Sequence, residues 1–493
     1  MTHVVIRCDA SSGGGIGHLV RAISVADAAR EAGHTVSLAG LIESPLALEL
    51  VADAGLALVA APSDLGVLAA EQGATIVHVD NYDIGSEAVA QTRRAGALLS
   101  SMEDGAFGRR RADVVIDSTI RAELGDRPDD DSGEVLLGIA YAPMRAQVRA
   151  ARSARAGEQR RVGDAADVLI VMGGTDAVGA TALVASVCRD ADGVGALTVI
   201  APAERWNEVR AQAGDGVDLI EPSPEFLARA ARADLVVSAA GTTSWELACI
   251  GVPSMLVAVV ENQRAGYEAA LAEGVAQGLG TLDEIRAHPQ QAVTRVEAAV
   301  AALREGRSWG DVGTALVDGR GAERIVAAWS ETLERRMSER GQEIAARPAA
   351  ADDALLLLRW RNDPVTRAMS RNPSAIGWQD HFNWYQRVLA DASRELYVVE
   401  SGAVPLGTVR FDALTAVEWE VSITLAPEVR GHGLARSILR AGEAEFAVAH
   451  PGVAIVAAIL PDNIASQKLF QGAGYVVDPQ RKDGDFDLLV RLS

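Results

Sequence analysis

Cysteine is scarce: Cys8, Cys188 and Cys249 are the only ones in 493 residues. They are scattered without CxxC spacing, which excludes a cysteine zinc cage and a disulfide framework and fits a reducing cytoplasm. Aromatic residues make up only 4%, so the cores must be filled by small and aliphatic side chains. Long apolar runs are missing, with no uninterrupted stretch of about 18 such residues. The opening MTHVVIRCDASSGG lacks a cationic stretch followed by an apolar core, so a soluble, non-exported, cytoplasmic chain is expected. Positive charge is in the minority: 46 Lys and Arg face 67 Asp and Glu, for a formal net charge of −21. Bulk attraction to nucleic acid or to an anionic membrane is therefore excluded, and local anion sites are not. No carboxylate cluster demands a metal, and none is expected.

What is present is a long chain of ordinary globular mixture, 49% hydrophobic and 23% charged, too long for one core; two or three domains are expected. The first half repeats a β-branched run, a Gly-containing loop and an Ala-rich helical stretch. Val4–Arg7, Thr35–Leu38, Thr75–Val79 and Val114–Ile116 read as buried strands, and the rhythm restarts with Val168–Met172, Leu197–Ala201 and Leu235–Ser238. The pattern predicts α/β architecture with two tandem Rossmann-like domains, residues 1–155 and 156–336, joined at the Arg-rich stretch near residue 155. A helix ending near Arg336 is expected to close the second. After a charged connector containing Gly and Pro, residues 345–493 form a different unit, with strands Glu395–Glu400, Gly407–Phe411, Val417–Leu425 and Val453–Leu460.

Five loops at strand ends carry chemistry. CDASSGGGIGHLVR follows the first strand, where ligands bind in open α/β sheets. His18 stands at the mouth of the next helix, whose dipole favours a neutral imidazole base; a helix-start histidine held for structure reads equally well. HVDNYD, residues 78–83, offers Asp80 and Tyr82 to orient water or sugar, or serves structure alone. VLIVMGGTDAVGAT presents Gly173, Gly174 and Thr175 to a phosphate, ahead of a helix. SAAGTTSWE brings Gly241, Thr242 and Thr243 to a diphosphate and Glu246 to ribose hydroxyls. ENQ points the amides of Asn262 and Gln263 at the same cleft.

The tandem halves and SAAGTTSWE resemble the B-type glycosyltransferase fold. Within it, CDASSGGGIGHLVR, VDNYD, GGTD and ENQ resemble the UDP-sugar hydrolase of the pseudaminic-acid pathway, over roughly residues 1–330. The resemblance implies hydrolysis of UDP-2,4-diacetamido-2,4,6-trideoxy-altropyranose to UDP and free sugar. It also implies that His18 assists the attacking water, that Tyr82 and Asn262 line the reacting sugar, and that Asp9, Gly17 and Arg21 belong to the substrate site. No metal enters this chemistry, because helix N-termini at Gly174 and Thr242 can stabilise the leaving UDP.

In the last unit, Arg430, Gly431, His432, Gly433, Leu434 and Ala435 lie between a strand and a helix. This run resembles the pyrophosphate loop of the GNAT acetyltransferase superfamily, which implies acetyl-CoA as cosubstrate, held also by Ile423 and Leu425. PDNIASQKLFQGAGY resembles a further segment of that superfamily and implies coenzyme contacts for Asn463, Ser466 and Phe470. Many relatives carry a tyrosine at Phe470 that protonates the departing thiolate; phenylalanine cannot, so water or another residue must serve. By alternation Glu418, Glu420, Ser422 and Thr424 share one strand face, and Glu420 is either a base acting through water or a solvated strand residue. LRWRNDPVTRAMSRNPSAIGWQDHFNWYQRVL resembles the amino-sugar N-acetyltransferase of the same pathway. Trp360, Arg361, Asn362, His381 and Trp384 then contact a UDP-linked amino-sugar acceptor, or the tryptophans are core.

Together the resemblances imply a bifunctional enzyme: the GNAT domain acetylates a 4-amino group, and the tandem domains hydrolyse the product. A glycosyltransferase fused to an acyltransferase is the first rival, and a scaffold with a silent acyltransferase domain the second. A fragment of residues 345–493 is expected to retain acetyl transfer.

Overall fold

The computed structural model describes residues 2–10, 16–157, 163–173, 176, 178–223, 225–339, 343–370 and 372–492. Among these, three sheets form. The first lobe contains β1 (His3–Cys8), β2 (Thr35–Ala39), β3 (Ala57–Val59), β4 (Ile76–Asp80), β5 (Leu98–Glu103), β6 (Val114–Asp117) and β7 (Glu134–Leu137). They are parallel and ordered β3-β2-β1-β4-β5-β6-β7. Both faces of such a sheet are covered by helices, which is why its strands read as unbroken apolar runs. Val4, Val5 and Ile6 are all fully buried.

The second lobe has β8 (Ala166–Val171), β9 (Val194–Ile200), β10 (Asp218–Ile220), β11 (Leu235–Ala239), β12 (Ser254–Ala258) and β13 (Gln277–Thr281). They are also parallel, ordered β10-β9-β8-β11-β12-β13. The two tandem Rossmann-like domains expected from the sequence are thus present.

Their division along the chain differs from the expectation. The Arg-rich stretch near residue 155 is part of a helix, Ala146–Ala156, whose Val148 and Ala151 pack into the second lobe with Leu169 and Val236. Its arginines cap carbonyls there: Arg152 donates to Val317 O at 2.7 Å and Thr314 O at 3.0 Å, and Arg155 to Ala231 O at 2.8 Å. Conversely, the helix Gly321–Ser338 returns to the first lobe. Its Ile325 and Trp329 join the cluster of Ile6 and Leu98, and the Trp329 indole donates to Ser100 Oγ at 2.8 Å. The chain therefore crosses between lobes twice, because each helix follows the sheet that buries its apolar face.

The third sheet comprises β14 (Ala345–Pro348), β15 (Arg394–Ser401), β16 (Val404–Ala413), β17 (Glu418–Leu425), β18 (Ala454–Ile459), β19 (Val476–Asp483) and β20 (Phe486–Leu492). Their order is β14-β15-β16-β17-β18-β20-β19, antiparallel except for β17 with β18. One face carries the few aromatics as a core, with Phe411 stacked on Phe446 at 4.0 Å and Trp419 edge-on to it at 5.2 Å. This domain is seated on the first lobe: Leu355 and Leu358, from its helix Ala354–Asn362, complete the first-lobe cluster around Val77 and Leu99. No helix among the described residues is long and apolar enough to cross a membrane.

Candidate functional site

Strand order reverses between β1 and β4 and again between β8 and β11, and ligands of open α/β sheets bind at the carboxyl ends of strands at such points. The ends of these four strands open on one interlobe cleft of about 900 Å³, lined among others by His18, Tyr82, Gly173, Thr242, Glu246 and Gln263. The lobes meet closely, since a Cβ on Gly17 would lie 3.3 Å from Thr242 Oγ1.

On the first-lobe side, the helix Gly17–Glu31 follows β1, and its second residue, His18, is half-buried. Asp80, the last residue of β4, is enclosed and sits with Oδ1 2.6 Å from His18 Nδ1. An ionised carboxylate only accepts, so the Asp80 contact calls for a proton on Nδ1 and leaves Nε2 as the accepting nitrogen, while Arg21 Nη2, a donor, stands 3.0 Å from the same Nδ1 and competes for it. Arg21, one helical turn on, donates to both Asp80 oxygens at 3.0 and 2.8 Å and to Asp104 at 2.8 and 2.9 Å. Burial alone would raise the Asp80 pKa, but Arg21 and His18 outweigh it and hold the carboxyl below its ordinary range. The Tyr82 hydroxyl donates to Asp104, and its ring stands edge-on to His18 at 4.6 Å. Burial and the Asp104 charge push the Tyr82 pKa up, so the phenol stays protonated.

Several sequence expectations change here. Asp80 is buried behind His18 and is not among the residues lining the cleft. Arg21 lines the cleft but is committed to two carboxylates. Asp9 is taken up by Arg7 at 2.5 and 3.0 Å, the Leu41 amide at 2.7 Å and Asn81 at 2.6 Å, and so ties together the ends of β1, β2 and β4. Ser11 to Gly15 of the glycine-rich turn lie outside the described residues.

On the second-lobe side, the helix Thr242–Ile250 starts after Gly241 with no side-chain cap. Its first amides are therefore free of side-chain competition for an anion. Glu246, one turn in, is buried, and Arg145 reaches it from the interlobe connector, placing bonds of 3.0 and 2.7 Å on Oε1. Burial raises the Glu246 pKa against the pull of Arg145. Gln263 accepts the Val259 amide at 3.1 Å, and its amide nitrogen comes within 3.5 Å of where a Gly241 Cβ would stand.

The loop after β8 is described only in part. Gly174 and Thr175 lie outside the described residues, and the next helix begins only at Thr181. Asp176, at φ 44°, accepts the Ala180 and Thr181 amides at 2.9 and 3.3 Å. That helix end is thus already capped, and Gly173, with φ 86°, is the part of the loop described on the cleft wall. Asn262 falls in the turn Glu261–Gln263, and its side chain lies outside what is described.

In the third domain, the register of β17 with β18 runs from Glu418↔Ala454 to Glu420↔Val456 and stops. Both strands continue, so a gap opens between them beside Ile423 and Leu425. After β17, Gly431 at φ 83° and Gly433 at φ 74° bracket His432, and Leu434 occupies the N-cap position of the helix Ala435–Ala449. Left-handed glycines in alternation turn successive amides into an anion-binding concavity. The Arg430 side chain does not face this loop; it pairs with Asp363 at 2.7 Å and donates to Thr366 Oγ1 at 2.7 Å.

The other residues expected at the coenzyme have partners within their own domain. Asn463 is a helix cap, accepting the Ser466 amide at 3.1 Å. Phe470 is buried in the core, edge-on to Tyr475 at 5.0 Å. Tyr475 does not replace the missing acid, because its hydroxyl donates to buried Glu443 at 2.6 Å. Burial and Glu443 push the Tyr475 pKa up.

On the opposite sheet face, Glu420 stands in register with Asp412. Arg410 donates to Asp412 at 2.9 Å and lies over the Trp384 ring at 5.9 Å. Glu418, on the same face, is held by Arg481 at 2.6 and 3.1 Å. Trp360 and Asn362 are core and interface residues, and the Asn362 amide donates to Ala70 O, Glu71 O and Ile376 O at 3.2, 3.1 and 2.7 Å. His381 is buried and stacked on Tyr385 at 5.9 Å, and burial pulls its pKa down to about 4. Trp360 Nε1, Arg361 Nη1 and His381 Nε2 are buried without a hydrogen-bond partner. Orphaned buried donors are rare, so this helical region is polar beyond the needs of packing.

Sequence reading missed Asp104, Arg145, Arg410 and Asp412. Asp104 and Arg145 gain their meaning from partners on other elements, and Arg410 and Asp412, which pair within β16, from the Trp384 ring and the register with Glu420. Among the described residues no group of three or more His, Cys, Asp or Glu gathers as metal ligands would.

Residues 344–476 match the family model described as "Acetyltransferase (GNAT) domain". No curated protein matches the chain. Among solved structures, MurG of Acinetobacter baumannii is similar at 15% identity, covering 67% of this chain and 100% of its own, with a TM-score of 0.44. The MnaA–UDP co-structure of S. aureus is similar at 12% identity over 68% of this chain and 97% of its own, TM-score 0.47. The N-acetyltransferase PseH of Campylobacter jejuni is similar at 15% identity over 30% of this chain and 98% of its own, TM-score 0.24. The matched segment, lying behind two Rossmann-like lobes, is a GNAT acetyltransferase domain.

Proposed function

We propose that this chain catalyses two consecutive steps on a UDP-linked amino sugar. The GNAT domain acetylates the 4-amino group of a UDP-4-amino-4,6-dideoxy-N-acetyl-altrosamine, and the tandem lobes hydrolyse the resulting UDP-2,4-diacetamido-2,4,6-trideoxy-altropyranose. The observation that carries the hydrolytic half is the buried Asp80 aiming His18 at a cleft whose far wall is the uncapped N-terminus at Thr242.

In that cleft, His18 Nε2 takes a proton from water as its oxygen attacks the anomeric carbon. The bond from that carbon to the diphosphate oxygen breaks, and UDP leaves with the electron pair. The Thr242 helix end stabilises the departing charge, and Glu246 and Gln263 hold the nucleoside. Tyr82, pinned by Asp104, shapes the sugar side beside His18, and Asn262 is assigned to the same sugar by the resemblance alone.

In the GNAT domain, the loop from Gly431 to Ala435 holds the acetyl-CoA diphosphate, and the gap beside Ile423 and Leu425 takes the pantetheine. The sugar amine attacks the acetyl carbonyl, the carbon–sulfur bond breaks, and Glu420 accepts the amine proton through water. With Phe470 in the core, the departing thiolate takes its proton from solvent. Arg361 and His381 line the acceptor region.

Incubation with the diacetamido UDP-sugar and no glycosyl acceptor tests the hydrolytic half. Equimolar UDP and free sugar are expected, and His18→Ala abolishes both while thiol release from acetyl-CoA with the 4-amino UDP-sugar continues. Sugar release only upon adding an acceptor would replace hydrolysis by glycosyl transfer.

A further inference from the structure

The most elaborate contact outside the two sites is the seat of the GNAT domain on the first lobe. It is built around a buried cation. Arg359, 2% exposed, lies in the helix Ala354–Asn362. It donates to Ala95 O at 2.6 Å and reaches Thr75 Oγ1 at 3.5 Å, both in the first lobe. Its charge is met within its own domain by Glu428, two residues before Arg430 and the glycine loop.

The end of the same helix makes a second link. Asn362 bonds the Ala70 and Glu71 carbonyls of the first lobe, and the adjacent Asp363 carries the Arg430 ion pair. The first lobe meets this point with Gly73, at φ 65°, where a Cβ would fall 2.5 Å from Asn362 C and Asp363 N. Only glycine permits that backbone approach. Both ends of the segment Glu428–Arg430, which leads into the loop, are thus tied to a helix that the other lobe fixes.

We propose that the first lobe holds the coenzyme loop in its binding shape, with Arg359 as the positioning residue, so that coenzyme affinity is set by how the GNAT domain is seated. Arg359 touches no coenzyme. A loop that grips a diphosphate by backbone amides loses conformational freedom on binding, and anchoring its entry in advance removes part of that loss. The neutral acceptors of Arg359 lie in one domain and its counter-ion in the other, so neither domain alone satisfies the buried guanidinium. This inference rests on the acetyl-CoA reading of the loop.

Calorimetric titration of coenzyme A into the full chain tests it, with circular dichroism on each variant. Arg359→Met and Gly73→Ala are each expected to weaken coenzyme A at least tenfold with the helical signal unchanged. In turnover the KM for acetyl-CoA rises while kcat stays within about twofold. Arg359→Lys, which keeps the charge and one carbonyl bond, recovers part of the affinity. Where the buried changes prevent folding, Glu428→Gln at the edge of the contact gives the same readout. Variants that melt earlier yet bind coenzyme A within twofold of the parent overturn the proposal and leave a purely structural contact. A parent chain that does not bind coenzyme A overturns the acetyl-CoA reading instead, before any variant is compared.

Discussion

Nδ1 of His18 stands 2.6 Å from Oδ1 of Asp80, a carboxylate wholly enclosed at the end of β4 and braced by Arg21. A base oriented through its far nitrogen depends on the residue that orients it. Asp80→Asn can present an amide N–H to Nδ1 and so invert the tautomer. Release of UDP from the diacetamido UDP-sugar is expected to fall about 10²- to 10⁴-fold, the range of a general base's contribution. Acetyl transfer stays unchanged, and equal loss of both activities would count against the division of labour.

The approach of Gly17 to Thr242 across the cleft allows a second test. A Cβ at Gly17 would already be 3.3 Å from Thr242 Oγ1, so Gly17→Val wedges the lobes apart. The KM for the UDP-sugar is expected to rise by an order of magnitude or more. Gly17→Val combined with Thr242→Ala recovers part of the loss, and no recovery would mean that the wedge acts elsewhere.

The seat of the GNAT domain revises the expectation for a fragment of residues 345–493. Leu355 and Leu358 are buried in the first-lobe cluster, and separation exposes both, at about 1.5 to 3 kcal/mol each. The fragment is expected to melt well below the full chain and to aggregate on concentration. Leu355→Glu combined with Leu358→Glu restores its solubility, measured by light scattering.

Buried histidines predict acid sensitivity. Burial pulls the pKa of both His78 and His381 down to about 4, against about 6.5 in an unfolded chain. Between those values the unfolded state binds more protons, so stability rises with pH across the window and is lost as pH falls from about 6.5 to 4. The midpoint of thermal unfolding is expected to drop over that range and to go on falling below it, as carboxylates with depressed pKa such as Asp130 and Asp318, each about 2, become protonated. His78→Asn and His381→Asn each flatten the slope, whatever they do to the midpoint at neutral pH.

The strands and their loops were legible because they rest on local physics. A run such as Val4 to Ile6 states that both its faces are buried, and the glycine spacing from Gly431 to Gly433 states a left-handed backbone wherever it sits. His18 stood out because it follows β1 at a helix start. The division between lobes was not legible. Arg149 to Arg161 has the composition of a linker, and only the carbonyls of Thr314, Val317 and Ala231 make its first half a docked helix.

By itself, the sequence determined the α/β class, the two Rossmann-like units, the separate acetyltransferase unit and the strand-end loops that line the cleft, all properties of neighbours within a few residues. Tertiary structure alone decided which charges meet. Asp80 with His18, Arg145 with Glu246, and Arg359 with Glu428 are pairings across 62, 101 and 69 positions. Propensity and periodicity carry no information at such separations. The partner of a buried charge is selected by desolvation and geometry once the sheets have packed, which is how Asp80 comes to lie behind His18 and Arg145 beside Glu246.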